Sequence, residues 1–223
     1  YLGDGKNCPY GSRPAEEVRR LADESVAALA GRGCKLVVVA CNTATAAAID
    51  FLRGKYAALP IVGMEPAVKP ACLETRSRIV GVLATERSLD GELFRRTAAR
   101  YAQDVEVLAV PGTGFVELVE QDLEATPEAE ACVRRVVEPL LDRGADRIVL
   151  GCTHYPFLNP VFDRVIGGRD VRIVDPSPAV ARRVEQLLAL HDLAASEDHA
   201  ATYDFRTFAD EAYRRRLAAK ALG

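Results

Sequence analysis

The chain has 223 residues with a formal net charge of −3, is 49% hydrophobic and 6% aromatic, and contains no Trp. That length allows one large α/β domain or two small lobes with a sizeable core, and the acidic balance argues against the basic stripe of a nucleic-acid binder. No apolar run reaches membrane-spanning length, and the six cysteines, with no Cys-x-x-Cys pair, read as free thiols of a reducing cytoplasm rather than a disulfide framework.

In chain order, "PAEEVRRLADESVAALAGRG" (14–33) has helical periodicity, with Val18, Leu21, Val26 and Leu29 as core positions. Glu16 and Glu17 sit in its first turn, and Gly31 and Gly33 are its stop signals. "CKLVVVAC" reads as a strand apolar on both faces, as helix-covered parallel strands are. "TATAAAIDFLRGKY" is a helix and "PIVGM" a short strand. The alternation repeats through strand "RIVGVLAT", helix "ERSLDGELFRRTAARY", strand "VEVLAV", a helix from about 127 to 143, and strand "RIVLGC". A helix after Pro156, strand "DVRIVD" and helix "SPAVARRVEQLLALH" follow. "AASEDHAATYD" (194–204) reads as a linker and "DEAYRRRLAAKAL" as a terminal helix. The expected fold class is α/β, with mostly parallel sheets flanked by helices on both faces.

Two pieces rhyme. "RGCKLVVVACNT" (32–43) and "RGADRIVLGCTH" (143–154) each run from Arg-Gly through a strand to a cysteine, at one constant offset, which suggests two similar half-domains. In parallel α/β sheets, ligands bind beyond the carboxyl ends of strands, where helix N-termini present free amides. Cys41 and Cys152 hold that position, followed by Asn42, Thr43 and Thr45 and by Thr153 and His154. A helix N-terminus lowers a thiol pKa from its usual ~8.5, so both thiols are expected to be drawn toward thiolate. A free cysteine is ordinarily a small core residue, and that reading takes Cys34, Cys72 and Cys132. Zinc is an alternative through Cys41, Cys152 and His154, but no fourth ligand lies at metal-like spacing. Two thiols facing one substrate from opposite sides suit inversion of a carbon acid, one removing a proton and the other returning one. No lysine motif indicates a pyridoxal Schiff base, and no GxGxxG or Walker loop indicates a nucleotide cofactor.

"VVVACNTATA" and "IVLGCTHYPFL", preceded by "YLGDGKNCPYG", resemble the cofactor-independent glutamate racemases of bacterial cell-wall synthesis, from Tyr1 to about Leu190. The resemblance implies interconversion of L- and D-glutamate for peptidoglycan, with no cofactor and no metal. Cys41 would take the α-proton from D-glutamate and Cys152 from L-glutamate. It also implies substrate contacts from Tyr10 and Gly11 of "PYG", Asn42 and Thr43 of "CNT", and Thr153 and His154 of "CTH". His154 is placed to position or protonate a substrate group, whereas Tyr10 could instead be packing in an ordinary turn. An acid in "GFVELVEQD" is expected near the second cysteine: Glu120, or Glu117 in the neighbouring register, unless Glu120 is a solvated helix residue. The implied architecture is two lobes, 1–66 joined to 177–223 and 67–176, with the site in the cleft between them. A cytoplasmic homodimer binding only small-molecule substrate is expected, with no nucleic-acid or membrane partner.

The pattern also departs from the family. An Asp-Ser-Gly-x-Gly-Gly-like turn contributing an acid and a hydroxyl is expected ahead of Tyr1, so a longer N-terminus is expected too. Gly5 and Lys6 replace the Thr-Ala of many relatives, and the region around "YDFRTFAD" is shorter than expected. Aspartate or other amino-acid racemases of the same superfamily share the architecture. A non-catalytic two-lobed module that binds an amino acid is the reading from a different class.

Overall fold

Apolar strands long enough to bury both faces, alternating with helices that carry one apolar stripe, settle into layers. The computed structural model describes residues 1–196 and 198–222. Along the chain it places β1 (Leu2–Gly3), α1 (Ala15–Ala30), β2 (Val37–Val39), α2 (Asn42–Lys55), β3 (Ile61–Gly63) and α3 (Val68–Glu74). Next come β4 (Ile79–Ala84), α4 (Glu86–Asp90), α5 (Glu92–Tyr101), β5 (Glu106–Pro111), α6 (Phe115–Glu120) and α7 (Pro127–Asp142). β6 (Arg147–Gly151), a 3-10 turn (Tyr155–Leu158), α8 (Asn159–Ile166), β7 (Arg172–Val174), α9 (Ser177–Leu190), β8 (Arg206–Thr207) and α10 (Glu211–Leu222) complete it.

Every described strand pairing is parallel. β5-β4-β6-β7 form a four-stranded sheet, while β1 pairs β8 and β2 pairs β3. Side chains alternate across a strand, and the two central strands, β4 and β6, bury both sets. Ile148 and Leu150 face a core with Phe115, Val133, Val137 and Phe162 from α6, α7 and α8. Val149, with Val80 and Val82, faces a second core with Val68 and Ala71 from α3. A third core joins Val18, Ala22 and Val26 of α1 to Val37, Val39, Ala48 and Leu52. Of the expected α1 core positions, Val18, Leu21 and Val26 are buried, whereas Leu29 packs on the margin.

Some expectations change. The helix expected over "ERSLDGELFRRTAARY" is two, because Gly91 takes an extended conformation (φ −64°, ψ 140°) between α4 and α5. Gly91 also lies close to α2: a Cβ there would be 3.4 Å from that of Ala46. The helix after Pro156 starts as a 3-10 turn and becomes α-helical only at Asn159. The strand in "CKLVVVAC" shortens to three residues. The segments β1, α3 and β8 carried no periodic signal of their own, being two, seven and two residues long. Glu197, within the segment expected to be a linker, lies outside the described residues. Among the described residues no helix is long and apolar enough to cross a membrane.

Candidate active site

β2 delivers Cys41 to the N-cap of α2. Its backbone is extended (φ −145°, ψ 120°), and its sulfur accepts the Ala44 N–H at 3.4 Å, the capping role usually filled by an oxygen. Thr45, one turn in, donates to the Val39 carbonyl (3.2 Å) and accepts the Met64 N–H (3.0 Å), fastening α2 to the ends of β2 and β3. The expectation that the helix terminus draws this thiol toward thiolate is corrected. Burial outweighs the Ala44 and Thr43 amides, and the Cys41 thiol is pushed up to about 11.

The second cysteine ends differently. β6 is buried throughout, and Gly151 lets it press on β4: a Cβ there would lie 2.7 Å from the Ala84 Cβ and 2.8 Å from the Leu83 carbonyl. Cys152 follows at once, but what comes after it is the 3-10 turn, capped at His154 without a side-chain hydrogen bond. A shared helix-terminus environment for the two thiols is therefore corrected as well. The neighbour of Cys152 is a side chain: its sulfur lies 3.8 Å from His154 Nδ1. On the other side of the ring, Nε2 lies 2.7 Å from Glu120 Oε1. Thiol, imidazole and carboxylate thus stand in a line, the acid orienting the ring toward the sulfur. The His154 hydrogen bond, acting against burial, holds Glu120 below the usual carboxylate range. Burial opposes charge on His154, yet its contacts with Cys152, Cys8 and Glu120 prevail and raise it well above an ordinary histidine. Glu117, the other register, is exposed.

The remaining expected residues fall at varied places. Asn42 and Thr43 are buried in the first turn of α2. Among the described residues, both amide atoms of Asn42 are buried without a hydrogen-bond partner, an unmet demand that a polar ligand or water would satisfy. Thr43 Oγ1 lies 2.9 Å from Thr85 Oγ1 and 3.3 Å from Ser88 Oγ, and those two are 2.9 Å apart, a hydroxyl triangle joining α2 to the end of β4. Gly11 meets the same Thr85: a Cβ there would be 3.1 Å from its side chain. The Tyr10 hydroxyl donates to Asp4 Oδ2 at 2.6 Å while its ring packs on the α1–α2 core. Burial and Asp4 raise its pKa above the ordinary range. Thr153 is half-buried and makes no side-chain hydrogen bond among the described residues.

Four neighbours of these residues escaped the sequence reading. Asp4 and Cys8 lie in the loop after β1, and the Cys8 thiol donates to Glu120 Oε1 at 3.4 Å and stands 4.0 Å from His154 Nε2. Thr85 and Ser88 follow β4, so the strand-end rule that singled out Cys41 and Cys152 applied to them equally. The expected core thiols hold for Cys72 and Cys132, which are buried, whereas Cys34 is half-buried.

A sequence profile of the Asp/Glu/Hydantoin racemase family matches residues 1–184. A glutamate racemase of Roseiflexus sp. (strain RS-1) is 52% identical over 188 residues, covering 84% of this chain and 69% of that protein. A glutamate racemase of Herpetosiphon aurantiacus is 44% identical over 213 residues, 96% of this chain and 83% of that protein. Among solved structures, Escherichia coli glutamate racemase in complex with L-glutamate and the activator UDP-MurNAc-ala superposes with a TM-score of 0.85 at 30% identity, covering 100% of this chain and 83% of that one.

Proposed function

The chain belongs to the Asp/Glu/Hydantoin racemase family, and on that premise we propose that Cys41 and Cys152 are the two bases with which it interconverts L- and D-glutamate. That it is an isomerase of the glutamate racemase kind follows from relatives at 44–52% identity over most of its length. The reading of the site rests on one observation above all: two cysteines at equivalent strand ends, one set against an imidazole–carboxylate pair.

In the L-to-D direction Cys152 takes the Cα proton, with His154 steadying the sulfur and Glu120 steadying the ring. The electron pair left on carbon spreads into the α-carboxylate, and Cys41 delivers its proton to the opposite face. The raised Cys41 pKa, about 11, keeps this thiol protonated at rest, ready to donate, and makes its thiolate a strong base for the reverse reaction, as Brønsted behaviour requires. The unpartnered Asn42 amide and the Thr43, Thr85 and Ser88 hydroxyls supply polar groups for the substrate's charged ends. No cofactor enters these steps.

The same reading assigns the site to a cleft between two lobes, 1–66 with 177–223 and 67–176. The sheets support that division, since β1–β8 and β2–β3 fall on one side and β5-β4-β6-β7 on the other. We place the enzyme in the cytoplasm as a homodimer supplying D-glutamate for peptidoglycan.

The test is exchange at Cα. L-Glutamate incubated with the protein in D₂O should gain deuterium at Cα and become D-glutamate, whereas a binding module yields no label. Cys41→Ser and Cys152→Ser should each lower racemisation by at least the ~10²–10⁴-fold typical of a lost general acid–base, with calorimetric glutamate affinity largely kept. Near-normal turnover in either variant rules out paired thiols.

A further inference from the structure

Cys8 has no part in the two-thiol reaction, yet it is the sulfur that meets Glu120 and the far nitrogen of His154. The ligating atoms of Cys8, Glu120 and His154 lie within 4.8 Å of one another. The pairs stand at 3.4 Å for Cys8–Glu120, 4.0 Å for Cys8–His154 and 2.7 Å for Glu120–His154. They come from three elements: the loop after β1, the last residue of α6 and the turn after β6. One thiolate, one imidazole and one carboxylate form a donor set that suits zinc.

With zinc–ligand distances of ~2.0–2.3 Å, tetrahedral coordination puts the ligand atoms ~3.3–3.6 Å apart. The Cys8–Glu120 edge already has that length. The other two need changes of about half an ångström, the Glu120–His154 edge opening as the metal replaces their shared proton. The outer shell is in place too. Tyr213 of α10 donates to Glu120 Oε1 at 3.4 Å, and Cys152 faces His154 Nδ1, each fixing a ligand's orientation. The two ring nitrogens point apart, so Cys152 is excluded from an ion on Nε2. A water molecule would complete the tetrahedron.

We infer that Cys8, Glu120 and His154 form a Zn²⁺ site, and that filling it switches off proton transfer at Cys152 by taking the imidazole and carboxylate that hold that thiol. Binding releases the Cys8 thiol proton and the His154 Nε2 proton to solvent, and nothing is oxidised or reduced. The site itself stands on geometry alone, whereas its inhibitory effect rests on the proposed role of Cys152.

The two parts are tested separately. Chelator-treated protein without glutamate is titrated with Co²⁺ and Zn²⁺, followed by the thiolate-to-cobalt charge-transfer band and by calorimetry. One ion per chain is expected, with the band lost in Cys8→Ala and Cys8→Ser and kept in Cys41→Ser and Cys34→Ser, each variant's folding being checked by circular dichroism. A band that survives in folded Cys8→Ala or Cys8→Ser, or no binding by the wild-type chain, overturns the site. Racemisation is then measured at buffered free zinc against each variant's own zinc-free rate. Wild type should be inhibited and recover with chelator, whereas the Cys8 variants should need at least 10-fold more zinc. Equal sensitivity overturns the inhibitory role. Metal binding by a chain that does not racemise would defeat the functional reading and leave the site standing.

Discussion

Cys41 and Cys152 close similar strands, but one meets backbone amides and the other a histidine. Their reactivity should differ accordingly. Alkylation needs the thiolate, and burial holds the Cys41 thiol at about 11. Its rate with iodoacetamide should therefore climb nearly tenfold per pH unit from neutrality upward, and glutamate should slow it. Peptide mapping across a pH series checks this; a plateau below pH ~9 would mean that burial does not govern the thiol. The motif made these two residues legible. Cys8 was not legible, because its partners Glu120 and His154 lie 112 and 146 residues away along the chain.

At the scale of elements, the site depends on how strands and helices are pinned. Gly151 allows β6 to touch β4 immediately before Cys152, and the nearest obstacle to a Cβ includes the rigid Leu83 carbonyl. Gly151→Ala should cost about 1–3 kcal/mol as overpacking, and should lower kcat by more than that lost stability explains, because Cys152 moves with the strand. Thermal unfolding compared with single-turnover kinetics separates the two effects; an active variant of normal stability would show that the strands can part. A second pin lies at the opposite end of the same strands. Asp146 accepts the Thr75 hydroxyl and the N–H groups of Arg76 (2.7 Å) and Ser77 (3.2 Å), with Arg147 at 3.4 Å. Burial works against its charge, yet these partners hold its carboxyl below the ordinary 3.8. A depressed carboxylate stabilises the fold above its unfolded pKa and loses that contribution as pH falls through the folded one. Asp146→Asn should thus cost about 1–3 kcal/mol near neutrality, and urea unfolding should show the gap closing below pH ~4. A gap independent of pH would place the effect elsewhere. α10 is a third pin: Lys220 bonds the Val119 carbonyl (2.9 Å) and pairs with Asp122 and Glu124, while Tyr213 reaches Glu120. The terminal helix was expected from its sequence, but its grip on α6 was not, because the pattern does not say which surface a helix meets.

For the molecule as a whole, one site must accept both enantiomers, since each is the product of the other. In a Cys41→Ser/Cys152→Ser double variant, which the proposed two-thiol mechanism leaves without either base, L- and D-glutamate should both raise the melting temperature. Ligand at about 100 times its dissociation constant contributes ~2.7 kcal/mol, readable by scanning calorimetry or thermal shift. Stabilisation by one enantiomer alone would contradict a racemase site.

The sequence by itself determined the α/β class, the parallel pairing, most helices and the strand-end cysteines. Those features are written locally, in periods of two and 3.6 residues, in caps and in a repeated motif. Only the tertiary structure decided that Gly91 splits a helix, that burial overrides the helix terminus at Cys41, and that Glu120 rather than Glu117 reaches His154. It alone assembled Cys8, Glu120 and His154, and Thr43, Thr85 and Ser88. Each of these depends on desolvation or on contacts between residues far apart in the chain, quantities that no local pattern encodes.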